Sequence, residues 1–151
     1  SICDWGPTAM LPIFNILGNG YKTKNIVSHI DDEGHDQFTK ITFLYDHAVA
    51  SATVAKGVKS EGELIVSGSK GYIYVPAPWW KTDYFEIRYE EASQNKRYFY
   101  QLDGEGIRYE LVAFTRAIES GRNLSYVDSN VSNRICEVVG DFYAQKDCAM
   151  I

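Results

Sequence analysis

Nine residues from Ser28 to Asp36 hold two histidines and four carboxylates, a donor set that could ligate zinc or manganese. No recognised ligand spacing is present. The segment lies between two strand-like runs, where Asp, Gly and His are also ordinary turn residues, and a solvated hairpin loop accounts for it. A second candidate, Asp103-Gly104-Glu105-Gly106-Ile107-Arg108-Tyr109, follows a predicted strand and opens a predicted helix, the setting of a dinucleotide phosphate loop. Tyr109 stands where the third glycine would be, and no βαβ unit surrounds it. A tight Gly-rich turn into a helix is the simpler reading. No GxSxG nucleophile motif occurs, and the third histidine, His47, sits in an Asp46-His47 turn.

Two aromatic and acidic segments carry more. Pro76 and Pro78 stiffen a loop that presents Trp79 and Trp80 directly after a strand. Indole faces stack on the C–H faces of sugars, but two such rings can equally plug a sheet edge or a subunit contact. The residues alone leave both readings open. The opening Cys3-Asp4-Trp5-Gly6-Pro7-Thr8 places Asp4 at a helix entry, where its carboxylate could accept first-turn N–H groups as a cap.

The elements that must position these residues follow from hydrophobic spacing. Met10, Leu11, Ile13, Phe14 and Leu17 predict a helix over 7–17, stopped by Gly18 and Gly20. Strands are predicted over 26–30, 38–45, 48–58, 63–66, 72–75, 84–89 and 97–102, with a hairpin tip at 91–96. Short turns between them imply a mostly antiparallel sheet. Helices are predicted over 107–120, ending at Gly121, and from a cap at Asp128 or Ser129 to about Gln145. This order predicts an α+β domain with helices on one sheet face, and Tyr45, Tyr74 and Tyr89 are candidates to line the other.

Composition bounds the function. The 151 residues are 45% hydrophobic and 23% charged, enough for one domain with a core, and the formal net charge is -5. The basic residues form no run. That argues against a nucleic-acid partner or an anionic membrane surface, and no stretch approaches the length of a membrane span. Three cysteines without CxxC spacing suit buried or free thiols. Together these features predict a soluble, cytoplasmic protein. An aromatic content of 14% suits broad sheet surfaces or carbohydrate-facing pockets. The first residue is Ser, and a dense motif follows at once, so the sequence reads as a fragment of something longer.

Asp4-x-Gly6-x-Thr8, with the helix ending at Leu17-Gly18, resembles the D-x-G-x-H segment of the glucose-fructose oxidoreductase, inositol dehydrogenase and MocA family. Two later segments are similar to that family as well. Gly62 to Ile73 resembles its strand-turn-strand carrying G-x-x-G, and Gly106-Ile107-Arg108-Tyr109-Glu110 resembles its G-x-x-Y-E helix start. The resemblance runs in the right order over nearly the whole chain.

It implies residues 1–151 as a single C-terminal domain with a large open sheet, of the kind in glyceraldehyde-3-phosphate dehydrogenase. The implied N-terminal Rossmann domain, which would bind NAD or NADP and carry the catalytic lysine, has no counterpart here. The fragment is therefore expected to bind no dinucleotide and to be inactive alone. The implied partners are a small sugar or polyol substrate, the missing Rossmann domain and a second copy through the open sheet face. Asp4 matches the family aspartate that holds substrate or the catalytic histidine, and Thr8 falls where that histidine or a tyrosine stands. A threonine hydroxyl can hydrogen-bond a substrate oxygen but has too high a pKa for acid-base work near pH 7. Trp5, Trp79 and Trp80 are the implied substrate-binding rings. The alternative is a non-catalytic sugar-binding or scaffold module of the same fold.

Overall fold

The computed structural model describes residues 1–101, 103–104, 106–122 and 125–151. Leu102, at the end of a predicted strand, and Glu105, in the Gly-rich turn, lie outside the described residues. The chain divides into two compact units, residues 1–59 with 126–151 and residues 60–125. The described strands form two four-stranded sheets where the sequence predicted one continuous sheet, because β3 and β4, defined below, do not pair with each other.

In the first unit, α1 (Ile2–Leu17) is followed by β1 (Thr23–Ile30), β2 (Asp36–Leu44) and β3 (Val49–Ala55), an antiparallel meander. Period-two burial is clear in β1, where Lys24, Ile26 and Ser28 turn inward while Asn25, Val27 and His29 face solvent. Onto the inner face pack α1, through Met10, Ile13 and Phe14, and α3 (Ser129–Tyr143), through Val131, Ile135, Val138 and Phe142. Phe14 meets Phe43 edge-on, with centroids 5.2 Å apart. The short β8 (Cys148–Met150), which periodicity missed, adds parallel to β1 at Ile26↔Cys148.

Helix α1 begins five residues before the predicted start. Pro favours the first helical position, which makes Pro7 a natural beginning, yet Pro7 and Pro12 both lie inside the helix. The extra turn exists because Asp36, at the start of β2, caps it. One carboxylate oxygen of Asp36 accepts from the Ile2 N–H at 2.6 Å, the Ser1 hydroxyl at 2.7 Å and Thr39 at 3.0 Å. Its other oxygen pairs with the terminal amine of Ser1. The cap comes from a residue 34 positions away, so local sequence does not reveal it.

In the second unit, β4 (Leu64–Gly68), β5 (Gly71–Val75), β6 (Tyr84–Tyr89) and β7 (Lys96–Phe99) form an antiparallel sheet in sequence order, with a 3-10 turn at Ala92–Gln94 inside the predicted hairpin tip. Register pairs Tyr74 with Glu86 and Ile73 with Ile87. One face therefore carries Tyr72, Tyr74, Tyr84, Glu86, Arg88 and Arg97 together with Ile65 and Phe99, and the other carries Leu64, Val66, Ile73, Val75, Phe85 and Ile87 together with Lys96 and Tyr98. The three tyrosines expected on one face do not share it. Tyr74 and Tyr89 point to opposite sides of this sheet, while Tyr45 packs against the core of the first unit and donates to the Gly18 carbonyl at 2.8 Å. Helix α2 (Ile107–Ser120) belongs to the same unit, opens after a left-handed Gly106 and buries none of its residues.

Candidate functional site

Asp4 lies in the first turn of α1, and its carboxylate does no capping there. It forms an ion pair with Lys56, in the loop after β3. The hydrogen bond from Lys56 and the charge of its ammonium hold Asp4 below the ordinary carboxylate range and raise Lys56. The cap reading of Asp4 is thus corrected, because Asp36 already takes the first-turn N–H. Thr8 stands one turn further along, on the same helix face as Asp4 and half-buried. Pro12 has no N–H to offer the Thr8 carbonyl, so the main chain at Thr8 keeps acceptor capacity. Trp5 is 47% exposed beside them. Asp4, Trp5 and Thr8 therefore lie together at the start of α1.

Tyr143 adjoins this end of the helix through Cys3, and nothing in its local sequence marks it. Cys3 Sγ and the Tyr143 hydroxyl, from the last turn of α3, lie 3.2 Å apart. That bond, with burial and the nearby carboxylates of Asp36 and Asp4, pushes Tyr143 up to about 12. Lys56 escaped the sequence reading for a plain reason: an exposed lysine after a strand looks like any solvated charge.

Trp79 and Trp80 belong to the second unit, on the loop after β5, next to a cis Ala77–Pro78 bond. The Trp79 N–H donates to the Gly62 carbonyl at 3.1 Å, and the two indoles meet edge-on at 6.1 Å. Gly62 has φ +79°, which suits glycine, while a Cβ there would be in ordinary contact with the Trp80 ring at 3.5 Å. Trp80 nonetheless stays 42% exposed.

The acidic-histidine segment is a turn. Asp31 accepts from the Glu33 and His35 N–H groups at 3.0 and 2.8 Å and from the Gln37 amide at 2.5 Å. Among the described residues, no cluster of His, Cys, Asp and Glu is arranged to hold a metal. The Gly-rich turn does not fit a dinucleotide. Asp103 pairs with Arg108 across it, putting a carboxylate beside the helix start where a pyrophosphate would need N–H donors. The strand ahead of it, β7, is antiparallel to β6, so the turn is not part of a βαβ unit. Elsewhere in the first unit, a cavity of about 560 Å³ is lined by Tyr21, Lys24, Arg134, Glu137, Asp141 and Asp147, none of which the sequence singled out. Its charges are matched internally: buried Lys24 reaches Asp141 at 2.7 Å and Asp147 at 2.9 Å, and Arg134 reaches Glu137 at 2.6 Å.

No known protein-family profile matches the sequence, and no curated protein matches it. Solved structures do. The 3-ketoreductase KijD10 from Actinomadura kijaniata, in complex with NADP and TDP-benzene, superposes with TM-score 0.81 at 13% identity over 99% of this chain and 47% of that one. Aldose-aldose oxidoreductase from Caulobacter crescentus, complexed with glycerol, gives TM-score 0.73 at 16% identity over 92% of this chain and 43% of its own. The probable oxidoreductase yhhX gives 0.62 at 18%, over 93% and 46%. The chain spans less than half the length of each. Its α+β architecture of two mostly antiparallel sheets and three helices is the fold of the C-terminal domain of the glucose-fructose oxidoreductase, inositol dehydrogenase and MocA oxidoreductases.

Proposed function

We propose that the chain is the substrate-binding and oligomerisation domain of an NAD(P)-dependent oxidoreductase acting on a sugar, cyclitol or related diol, in the cytoplasm. The observation that carries this reading is the start of α1: the motif Asp4-x-Gly6-x-Thr8 stands on one helical turn with Asp4 exposed, Thr8 half-buried and Gly6 buried, in a fold otherwise met in the C-terminal halves of oxidoreductases. In this reading residues 1–151 form one domain of a longer protein, whose other half would hold the nicotinamide cofactor, because the Gly-rich turn here does not suit one. Neighbours solved with NADP, TDP-benzene or glycerol support a small hydroxylated substrate.

Asp4 is assigned to a substrate hydroxyl, which its ionised carboxylate can accept from strongly. Thr8 would supply a second hydrogen bond without moving a proton. Trp5, and independently Trp79 and Trp80, are assigned to sugar faces. The apolar side of the second sheet is assigned to a second copy of the chain. Thr8 also favours a second reading, a sugar-binding module without catalysis, since it removes the ring that family members use at that position.

Assay of the full-length parent against aldoses, cyclitols and their keto forms, followed by nicotinamide absorbance, tests the first reading. Turnover with at least one of them is expected, and Asp4→Asn should lower kcat/KM by about a hundredfold with little change in melting temperature. Sugar binding with no turnover by the parent favours the second reading. Micromolar NAD(P) binding by residues 1–151 alone, measured by calorimetry, would falsify the division of labour.

A further inference from the structure

We propose that Lys56 is the positioning residue of the Asp4 site: its ammonium pairs with the Asp4 carboxylate and aims it from the first turn of α1. This rests on the reading of Asp4 given above. The geometry behind it is the way two neighbouring residues, Asp36 and Gln37, tie down both partners. Asp36 caps the turn that carries Asp4, through the Ile2 N–H at 2.6 Å and the Ser1 hydroxyl at 2.7 Å. The Gln37 carbonyl accepts the N–H groups of both Lys56 and Gly57, at 3.0 and 3.1 Å.

The loop is held on its other side as well. A Cβ on Gly57 would lie 2.6 Å from Gln37 Oε1, and the Gln37 amide is itself fixed by Asp31 at 2.5 Å. Helix and loop thus start from adjacent points on one strand, and Asp4 and Lys56 meet across a short, doubly anchored span. An exposed ion pair on free side chains is worth little, because holding two long side chains in one geometry costs entropy. Anchoring both backbones removes the main-chain part of the cost and keeps the two residues within reach of one another.

Charge balance gives Lys56 its work. Around Asp4 stand Lys56 from the loop after β3, the Ser1 amine just ahead of α1, Asp36 from β2, Cys3 on α1 itself and Tyr143 from α3. Asp36 raises the Asp4 carboxyl and is itself engaged by the Ser1 amine, while the hydrogen bond and charge of Lys56 are the main terms lowering it. Asp4 is more than half exposed and is ionised at neutral pH with or without a partner, so what the contact fixes is where that charge points. Lys56 is the cation in contact with it.

The test uses Lys56→Met, Lys56→Arg and, as a control, Lys22→Met, which removes an equally exposed pair with Asp46. In residues 1–151, the Asp4 carboxyl carbon should titrate at higher pH in Lys56→Met and stay near its original midpoint in Lys56→Arg. In the full-length parent, Lys56→Met should lower kcat/KM about tenfold and move the acid limb of the pH profile upward, because a less stabilised carboxylate protonates earlier. Lys56→Arg should recover most of the rate, and Lys22→Met should change neither quantity. An unmoved Asp4 midpoint and acid limb in Lys56→Met overturn the proposal while leaving the role of Asp4 intact. A full-length Asp4→Asn with unchanged kcat/KM overturns that underlying role, a different failure seen in a different variant.

Discussion

The two four-stranded sheets are each built on an antiparallel meander, the first with the parallel β8 at its edge, yet they bury their residues very differently. On the first, Ile26, Ile41 and Phe43 are fully buried under α1 and α3. On the second, no described residue is buried, although its strands put Tyr72, Tyr74, Glu86 and Arg88 on one face with Ile65 and Phe99, and Leu64, Val66, Ile73, Phe85 and Ile87 on the other with Lys96 and Tyr98. Alternation alone therefore specifies which residues share a face. Whether that face becomes a core depends on what covers it, and in the first unit the cover is two helices whose apolar stripes match the sheet. In the second unit α2 has such a stripe, with Leu111 60%, Phe114 64% and Ile118 66% exposed.

The largest expected effect tests this contrast directly. Phe43→Ala removes a ring packed between Phe14 and Tyr21, and unfolding by denaturant should show a loss of roughly 3 to 5 kcal/mol. Phe85→Ala removes a ring of the same size, stacked on Tyr98 at 5.0 Å. In dilute solution it should cost about 1 kcal/mol or less, since a half-exposed ring forfeits less burial. Equal costs for the two would mean that the second sheet already has a core of its own.

What was legible in the sequence follows the same division. The β1–β2–β3 meander, the Gly62 to Ile73 hairpin and the last two helices are local, and periodicity with turn residues marks each of them. Helix α1 was read short because its cap comes from Asp36, and β8 was missed because three residues carry no period. At the site, Asp4, Trp5 and Thr8 were found by motif and do cluster on one helix start. Their partner Lys56 was not, because an ion pair between a helix and a distant loop leaves no mark in local spacing. The dinucleotide-like turn was legible from both sides: Tyr109 already breaks its glycine pattern, and the pairing of Asp103 with Arg108 shows that it is otherwise engaged.

A second experiment asks what covers the apolar face of the second sheet. If a second copy does, sedimentation equilibrium at micromolar concentration should show a dimer. Ile87→Lys, set in the middle of that face opposite Ile73, should then weaken it by about a hundredfold, because a desolvated ammonium would replace a central apolar contact. Val27→Lys on the outer face of the first sheet should leave association unchanged, since Asn25, His29 and Thr42 already make that surface polar. A dimer disrupted by Val27→Lys and untouched by Ile87→Lys would exchange the roles of the two sheets.

The smallest effect concerns how the helices of the two units are started. Burial raises the Asp36 carboxyl, but the opposing bonds from the Ser1 amine and hydroxyl, the Ile2 N–H and Thr39 prevail and hold it at about 2. A group depressed on folding from an ordinary value of 3.8 contributes fully above that value, and its contribution fades as pH falls through 2. At pH 7, Asp36→Asn should therefore lose roughly 2 kcal/mol, and its gap from the parent chain should close as pH drops from about 4 towards 2. Extending the chain ahead of Ser1 should remove the amine's charge and raise the Asp36 midpoint, while the bonds to Ile2 and Thr39 keep part of the effect. Hydrogen exchange sharpens the comparison, because α2 starts at Gly106 with no side-chain cap. In Asp36→Asn the first amides of α1 should exchange at rates approaching those at the start of α2, while α3, capped by Asp128 through the Asn130 N–H at 2.7 Å, stays protected. A gap between variant and parent chain that stays constant down to pH 2 would mean that Asp36 acts through shape alone, and that the first unit does not owe its extra helical turn to charge.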